Sequence, residues 1–321
     1  MDRVAAGGSS GSVRSREMMS AVVSSTSIPL GTNFLDHLKT RMQSQPALGS
    51  TATPYSPWVL ESARRLLAEE GAVSFYATGL PVSCVREAFT QLFRFGTYPL
   101  VRDLMSRSLG GSEGGDAAVA AKLGAGLLGG AISGVTASPA DFVRIRLQAE
   151  QGRLAADGRT METGLRAGLP PRLTSSSAAF SLIVREGGGI GALWHGASVN
   201  ALRAAVLTMG TVPVYEHTKF LAKQHLGAKD APSLHLCAGI VAGLLGTTVA
   251  APVDVVRTRL MTAPASATMA STVVAVWREA GPLGFLRGWW PAYMRLGPVL
   301  LLYPAFVEQV RMRLFGLPTF S

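Results

Sequence analysis

The chain has 321 residues, of which 30 are basic and 20 are acidic, and its mean hydropathy is +0.28. Charged residues make up 16% of the chain, against about a quarter in ordinary soluble domains. Two cysteines are too few for the disulfide framework of a small secreted scaffold. The composition therefore indicates a membrane protein or an unusually apolar globular protein.

The net charge of +10 raises the question of an anionic partner. Basic residues occur singly, beside acids or within apolar stretches, rather than in a Lys/Arg-rich run with interleaved aromatic residues. That distribution is not typical of nucleic-acid binding. We therefore expect a small anionic solute or an anionic lipid as partner, and no nucleic acid.

Three uncharged stretches are long enough to cross a bilayer, and they span Met18–Leu35, Leu123–Ala140 and Ser233–Val253. A helix of 18 residues is roughly 27 Å long, which is close to the hydrocarbon thickness of about 30 Å. Each stretch therefore predicts a membrane-spanning helix. The alternative is a soluble protein with three unusually apolar core helices.

A second set of apolar segments carries isolated arginines and spans 80–107, 195–221 and 290–314. In the first of them, Arg86, Thr90 and Arg94 are spaced four residues apart and share one helical face. A charge at membrane depth is costly and normally faces a water-filled interior. The stripe therefore predicts the lining of a pathway, the alternative being the solvated face of a soluble helix.

The long apolar stretches all end in one pattern, an acid followed three and five residues later by bases. The three copies are Asp36-x-x-Lys39-x-Arg41, Asp141-x-x-Arg144-x-Arg146 and Asp254-x-x-Arg257-x-Arg259. Recurrence at intervals of about a hundred residues predicts three helical hairpins. Their predicted bounds are 17–110, 117–224 and 232–315, after a Gly/Ser-rich segment, 1–16, that we expect to be disordered.

The triplicate pattern, which reads Pro-x-Asp-x-x-Arg-x-Arg in the second and third repeats, resembles the mitochondrial carrier family. The stretches around Arg86, Asp141 and Arg295 are most similar to its dicarboxylate, oxoglutarate and uncoupling-protein branch. The resemblance implies an all-α membrane protein with six transmembrane helices in three pseudo-threefold repeats. It also implies short matrix helices, a monomer and the mitochondrial inner membrane. We place the matrix helices near 57–69, 174–186 and 268–279.

An acid and a base three residues apart lie on one face of a helix, so three such helices can close a ring of ion pairs. The predicted members are Asp36, Lys39, Asp141, Arg144, Asp254 and Arg257. The resemblance implies that this ring closes the matrix side of the carrier. It also implies that Gln43 and Gln148 brace the ring, whereas the third position is Met261.

On the cytoplasmic side the family uses an aromatic residue, an acid and, three residues later, a base. The resemblance therefore implies a second gate formed by Arg102, Glu216, Lys219, Glu308 and Arg311. In the first repeat Pro99 replaces the acid, so at most two of three pairs can form. We expect this gate to be the weaker one and the outward-open state to be favoured at rest.

The resemblance places substrate contacts at Arg86, Thr90, Arg94, Arg203, Ala204 and Arg295. A guanidinium group can bind both oxygens of a carboxylate at once. Arginines on three separate helices therefore indicate a ligand with at least two anionic groups, such as a dicarboxylate. The alternative role for each arginine is contact with lipid headgroups.

Three glycines precede the arginine-bearing helices, and they are Gly79, Gly196 and Gly288. The free amide groups at a helix N-terminus can hold a phosphate, and the resemblance implies a cardiolipin site there.

The first repeat departs from the pattern, because Phe34 stands where the other repeats have Pro139 and Pro252. These prolines should kink their helices. With Pro29 lying upstream instead, the first hairpin either has a displaced kink or is divergent.

The five histidines are scattered, with no carboxylate or cysteine constellation around them. We therefore expect no enzyme activity, no metal and no cofactor. The leading hypothesis is alternating-access exchange of dicarboxylates or oxo acids. An uncoupling-type proton leak, an amino-acid or nucleotide carrier and a soluble helical scaffold remain as alternatives.

Overall fold

The computed structural model describes most of the chain, namely residues 15–44, 55–56, 58–108, 116–156, 158–163, 166, 168–173, 175–226, 232–264 and 266–316. Within these ranges the protein is helical and contains no strand, apart from one isolated bridge between Leu154 and Met161. The predicted tail, 1–16, lies outside these ranges except for its last two residues. Those two residues are helical, so the predicted end of the tail at residue 16 lies two residues too far along the chain.

The helices of the described residues follow one another with short connections. In chain order they are α1 (15–26), α2 (Ile28–Gln43), α3 (Val59–Ala77), α4 (Leu80–Ser108), α5 (Asp116–Glu150), α6 (Ser176–Glu186), α7 (Ala197–Leu226), α8 (Pro232–Thr262), α9 (Met269–Ala280) and α10 (Trp289–Phe315). Two short 3₁₀ helices, Ile190–Trp194 and Pro282–Leu286, precede α7 and α10.

Six of these helices form a closed ring. Helices α2, α5 and α8 contact one another, and the other three lie between them: α4 contacts α2 and α5, α7 contacts α5 and α8, and α10 contacts α8 and α2. The contact of α10 with α2 closes the ring. This arrangement brings the three copies of the acid–base pattern to the centre.

The short helices α3, α6 and α9 lie close to the predicted matrix helices. Side chains cap the starts of α6 and α9: Ser175 accepts a hydrogen bond from the backbone of Ala178, and Thr268 and Ser271 cap each other reciprocally. Helix α3 is interrupted at Gly71, whose φ of +79° is accessible to glycine at little cost.

The first repeat differs from the others in its proline. Helix α1 ends before Ser27, and Pro29 lies in the first turn of α2, where its missing N–H is tolerated. Helices α5 and α8, by contrast, continue through Pro139 and Pro252 without interruption. The displaced break is therefore the alternative that the structure adopts in the first repeat.

Small residues bring α7 close to both of its neighbours. A side chain at Gly134 would lie 3.4 Å from the carbonyl oxygen of Asn200, and one at Gly210 would lie 3.1 Å from the Cα of Gly246. These small residues let the backbone of α7 approach the backbones of α5 and α8 closely. Small residues allow the same close approach between helices in lipid.

By length and composition, one helix among the described residues, Leu236–Thr262, qualifies as a candidate membrane span. Six spanning helices therefore stay a prediction.

Candidate functional site

A ring of three buried ion pairs joins α2, α5 and α8. Each pair connects the base of one repeat to the aspartate of the preceding one in cyclic order. The pairs are Lys39 Nζ with Asp254 Oδ2 at 2.6 Å, Arg144 Nη1 with Asp36 Oδ2 at 3.0 Å, and Arg257 Nη2 with Asp141 Oδ2 at 2.6 Å. All six residues are buried. We call this set the aspartate ring.

Each aspartate of the ring also contacts an arginine from one of the intervening helices. Arg295 Nη1 lies 3.1 Å from Asp36 Oδ1, Arg86 Nε lies 3.5 Å from Asp141 Oδ1, and Arg203 pairs with Asp254. Three arginines expected to bind substrate therefore point to the interior of the helix ring. Each aspartate consequently contacts cations from at least two different helices.

The interior cavity at this point is small. It has a volume of about 20 Å³ and is lined by ring residues together with Arg86, Arg203 and Arg295. A volume of this size holds about one water molecule. The arginines are thus engaged by aspartates, and a larger anion must displace those contacts to reach them.

The remaining predicted contact residues are placed differently. The Thr90 hydroxyl donates to the backbone oxygen of Arg86 at 2.8 Å, within its own helix. The Cβ of Ala204 lies 3.7 Å from where a side chain on Gly130 would begin, so Ala204 faces the neighbouring helix α5. The side chain of Arg94 lies outside the part of the structure that is described.

Two glutamines connect the ring helices next to the ion pairs. Gln43 Oε1 accepts a hydrogen bond from Thr258 at 2.8 Å, and Gln148 Oε1 accepts one from Thr40 at 3.1 Å. By the repeat register the third brace would join Met261 to Ile145. Both side chains belong to one buried hydrophobic cluster, so an apolar contact replaces the polar one.

The second base of each motif has a structural role that the sequence analysis did not assign. Arg41, Arg146 and Arg259 each donate to a backbone carbonyl at the C-terminal end of the next ring helix. Arg41 and Arg259 also pair with Glu70 and Glu279. Burial raises the pKa of the Glu70 carboxyl, and the Arg41 charge opposes that rise. Cations suit these positions because helix C-termini carry partial negative charge.

The three glycines expected to bind lipid have positive φ angles of 72°, 90° and 73° at Gly79, Gly196 and Gly288. A side chain at each would lie 3.0–3.4 Å from Gln148, Met261 or Gln43. Glycine is therefore needed there for both backbone conformation and space. Burial and the charge of Arg146 lower the pKa of the neighbouring His195.

The opposite end of the helix ring has a different arrangement. Arg102 pairs with its exposed neighbour Asp103 at 3.2 Å, and Arg311 Nη2 lies 3.6 Å from Glu17 Oε1. Lys219 lies over the Tyr215 ring, with 5.6 Å to the ring centroid.

The predicted cytoplasmic pairs are not formed by the described side chains at this end. Glu308 makes no ion pair within the described residues, and the Glu216 side chain lies outside them. The predicted cytoplasmic gate, which needs Glu216, therefore stays a prediction.

Two buried polar residues near the aspartate ring were missed. Glu87 contacts both Arg86 and Arg295, the latter at 3.3 Å. Asn200 donates to Ser138 Oγ at 2.8 Å and accepts a hydrogen bond from Arg257. Glu87 could have been found from the sequence, because it is an acid next to Arg86 in an otherwise apolar segment. Asn200 is a single asparagine, and the sequence gave no signal for its role.

Comparison with known proteins places these features in a family. The family model described as mitochondrial carrier protein matches residues 12–109, 115–226 and 229–317. The chain belongs to the mitochondrial carrier family. Members of this family are transporters rather than enzymes, and the protein is accordingly a multi-pass protein of the mitochondrial inner membrane.

Three relatives from different organisms have the same sequence identity to the chain. Mitochondrial uncoupling protein 3 of Arabidopsis thaliana is 30% identical over 89% of this chain and 90% of its own length. The mitochondrial dicarboxylate transporter of Saccharomyces cerevisiae is 30% identical over 89% of each chain. A probable mitochondrial 2-oxoglutarate/malate carrier protein of Dictyostelium discoideum is 30% identical over 87% of this chain and 83% of its own.

Proposed function

We propose that this carrier exchanges dicarboxylates or oxo acids across the inner membrane by alternating access, with six membrane-spanning helices around the substrate. The observation that carries the proposal is the convergence of Arg86, Arg203 and Arg295 on one interior cavity. The printed names of a dicarboxylate transporter and a 2-oxoglutarate/malate carrier among the relatives support the same substrate class.

The charges around the cavity favour a divalent anion. Among the described side chains, six basic groups surround four carboxylates, which leaves an excess of two positive charges. The basic groups are Lys39, Arg86, Arg144, Arg203, Arg257 and Arg295, and the carboxylates are Asp36, Glu87, Asp141 and Asp254. A dicarboxylate would neutralise this excess, whereas a neutral or cationic solute would not.

The shared aspartates suggest how substrate binding opens the ring. When the carboxylates of a substrate bind Arg86, Arg203 and Arg295, these arginines leave the aspartates. Each aspartate then loses one of its cationic partners, so the aspartate ring is weakened. Buried ion pairs depend on full pairing, and a ring with half of its cations removed can hydrate and separate. Substrate binding on one side thereby promotes opening on the other.

The test is exchange in liposomes that contain the purified protein. We expect internal malate to drive uptake of external malate, phosphate or oxoglutarate, and Arg203→Ala and Arg295→Ala to abolish it. Arg278→Ala, at an exposed position of α9, serves as the matched control. Fatty-acid-dependent proton flux without exchange would contradict the proposal and favour a leak of the uncoupling type. Exchange of amino acids or nucleotides alone would contradict it as well.

The six membrane spans have a separate test. Extraction of native membranes with alkaline carbonate should leave the protein in the membrane pellet. Release into the soluble fraction would contradict the spanning arrangement and favour a soluble scaffold.

Cardiolipin is the proposed lipid partner of the monomeric carrier. Gly79, Gly196 and Gly288 lie at the starts of α4, α7 and α10, where first-turn amides can bind a phosphate. We expect cardiolipin, and not phosphatidylcholine, to raise the melting temperature of the detergent-purified protein. Equal stabilisation by both lipids would contradict a specific site.

A further inference from the structure

Glu87 is the one acid of the interior cluster that does not belong to the aspartate ring, among the residues that the structure describes. Its side chain is 9% exposed and lies between two arginines from different repeats. Its carboxylate pairs with Arg86 and lies 3.3 Å from Arg295 Nη2. A buried carboxylate with two cationic partners is part of the electrostatic design of the cavity.

Glu87 also breaks the threefold repetition of the site. The residue after the corresponding arginine is Ala204 in the second repeat and Leu296 in the third. Two of the three equivalent positions are therefore apolar and one is acidic. Helix packing alone is satisfied by apolar residues at this position, as Ala204 against Gly130 illustrates.

The acid changes the charge that a substrate meets. Without it, the described cluster would have six basic groups and three aspartates, and the excess would be three positive charges. With Glu87 the excess is two. The acid also makes the charge of the cavity uneven. Glu87 contacts Arg86 and Arg295, whereas Arg203 pairs with Asp254.

We propose that Glu87 is a specificity-determining residue that makes the cavity select divalent over trivalent anions. The inference rests on the proposed function, since it assigns the charge class of the transported anion. Glu87 acts through Arg86 and Arg295, whose charge it partly neutralises, so that these two arginines together bind one carboxylate. Arg203 binds the other carboxylate. Among the described side chains, a third carboxylate then has no free cation and faces Glu87 itself.

Competition in liposomes tests this assignment. The quantity measured is the ratio of the inhibition constants of citrate and unlabelled malate, rather than the rate of exchange. We expect the wild-type protein to exchange malate, a dianion, and to bind the citrate trianion at least about tenfold more weakly, because one unit charge at contact distance has an effect of this order. Glu87→Gln keeps the size and removes the charge, so the citrate-to-malate preference should rise by about tenfold. Glu87→Asp keeps the charge and should retain the preference for malate. Glu61→Gln, at an exposed position of α3, is the matched control.

The outcomes separate the two proposals. If the wild-type protein exchanges no dicarboxylate, the proposed function fails. If it exchanges malate but Glu87→Gln leaves the ratio of the inhibition constants of citrate and unlabelled malate unchanged, the assignment of Glu87 fails alone. If Glu87→Gln does not fold, the wild-type protein still decides: equal inhibition of malate exchange by citrate and by unlabelled malate would overturn the assignment.

Discussion

The two ends of the helix ring carry their charges in different ways. At the aspartate ring, three interhelical pairs are buried and each aspartate also contacts an arginine from an intervening helix. At the opposite end, Arg102 pairs with an exposed sequence neighbour, and Arg311 pairs with Glu17, whose side chain is 46% exposed. Removal of one partner from a buried pair costs far more than the loss of an exposed pair. We therefore propose that closure is secured at the aspartate ring.

Removal of an aspartate from the ring should have the largest effect. Asp141 lies within 3.6 Å of Arg257, Arg86 and Arg144. Asp141→Asn leaves buried cations uncompensated, which costs about 3–5 kcal/mol in buried pairs. We expect malate exchange to fall to about a tenth of the wild-type rate or less, and the melting temperature to drop. Asp103→Asn, which removes the exposed acid at the opposite end, should change neither; equal losses in both variants would refute the comparison.

A third hydrogen-bonded brace, built between positions 261 and 145, should have an intermediate effect on malate exchange. Met261→Gln alone places a buried amide against Ile145, and an unsatisfied polar group costs about 1–3 kcal/mol. The double variant Met261→Gln with Ile145→Thr supplies the hydroxyl partner found in the other two braces. We expect the double variant to regain stability and to exchange malate about fivefold more slowly, because one extra hydrogen bond of about 1 kcal/mol closes the ring more tightly. If the double variant is no more stable than Met261→Gln alone, the predicted brace does not form.

An acid introduced at position 99, at the end of the helix ring opposite the aspartate ring, should have a smaller effect on malate exchange. Pro99→Asp restores the acid that the first repeat lacks and permits a third pair there. Exposed pairs contribute about 0.2–1 kcal/mol, so we expect exchange to slow by about fivefold at most. The initial rate of malate exchange measures this, with Pro99→Ala as the control for loss of the proline. A rate equal to that of Pro99→Ala would mean that no gate closes at this end.

The pair between Arg311 and Glu17 should matter least. Glu17→Gln removes a partly exposed carboxylate, so we expect less than about a twofold change in exchange rate. The change should shrink further at high salt, because exposed charges are screened. A loss as large as that of Asp141→Asn would show that the two ends are equally important.

Much of the ring could be identified from spacing. An acid followed by bases at three and five residues, at the end of each apolar stretch, placed the correct charges on the correct helix faces in all three repeats. Arg86 was recognised from the stripe that it forms with Thr90 and Arg94, whereas Arg203 and Arg295 were placed by family resemblance. The lost brace at Met261 was visible too, whereas the matching Ile145 became meaningful only when packing placed the two side chains in one cluster.

The gate at the opposite end stays a prediction, and its assignment had less physical support. Its residues were assigned by family resemblance, and one repeat lacks the acid. Local neighbours can satisfy exposed charges, as Asp103 does for Arg102, so a motif at the surface does not determine its partner. Buried charges have no such freedom.

By itself the sequence determined the helical repeats, the positions of their charges and the cationic character of the interior, because these follow from helical periodicity and hydropathy. Only the tertiary structure decided which base meets which aspartate, that each aspartate is shared by at least two cations, and that Glu87 reaches Arg295 on another repeat. Those contacts depend on distances between helices that are far apart in the chain, and such distances are set by how the six helices pack around one another.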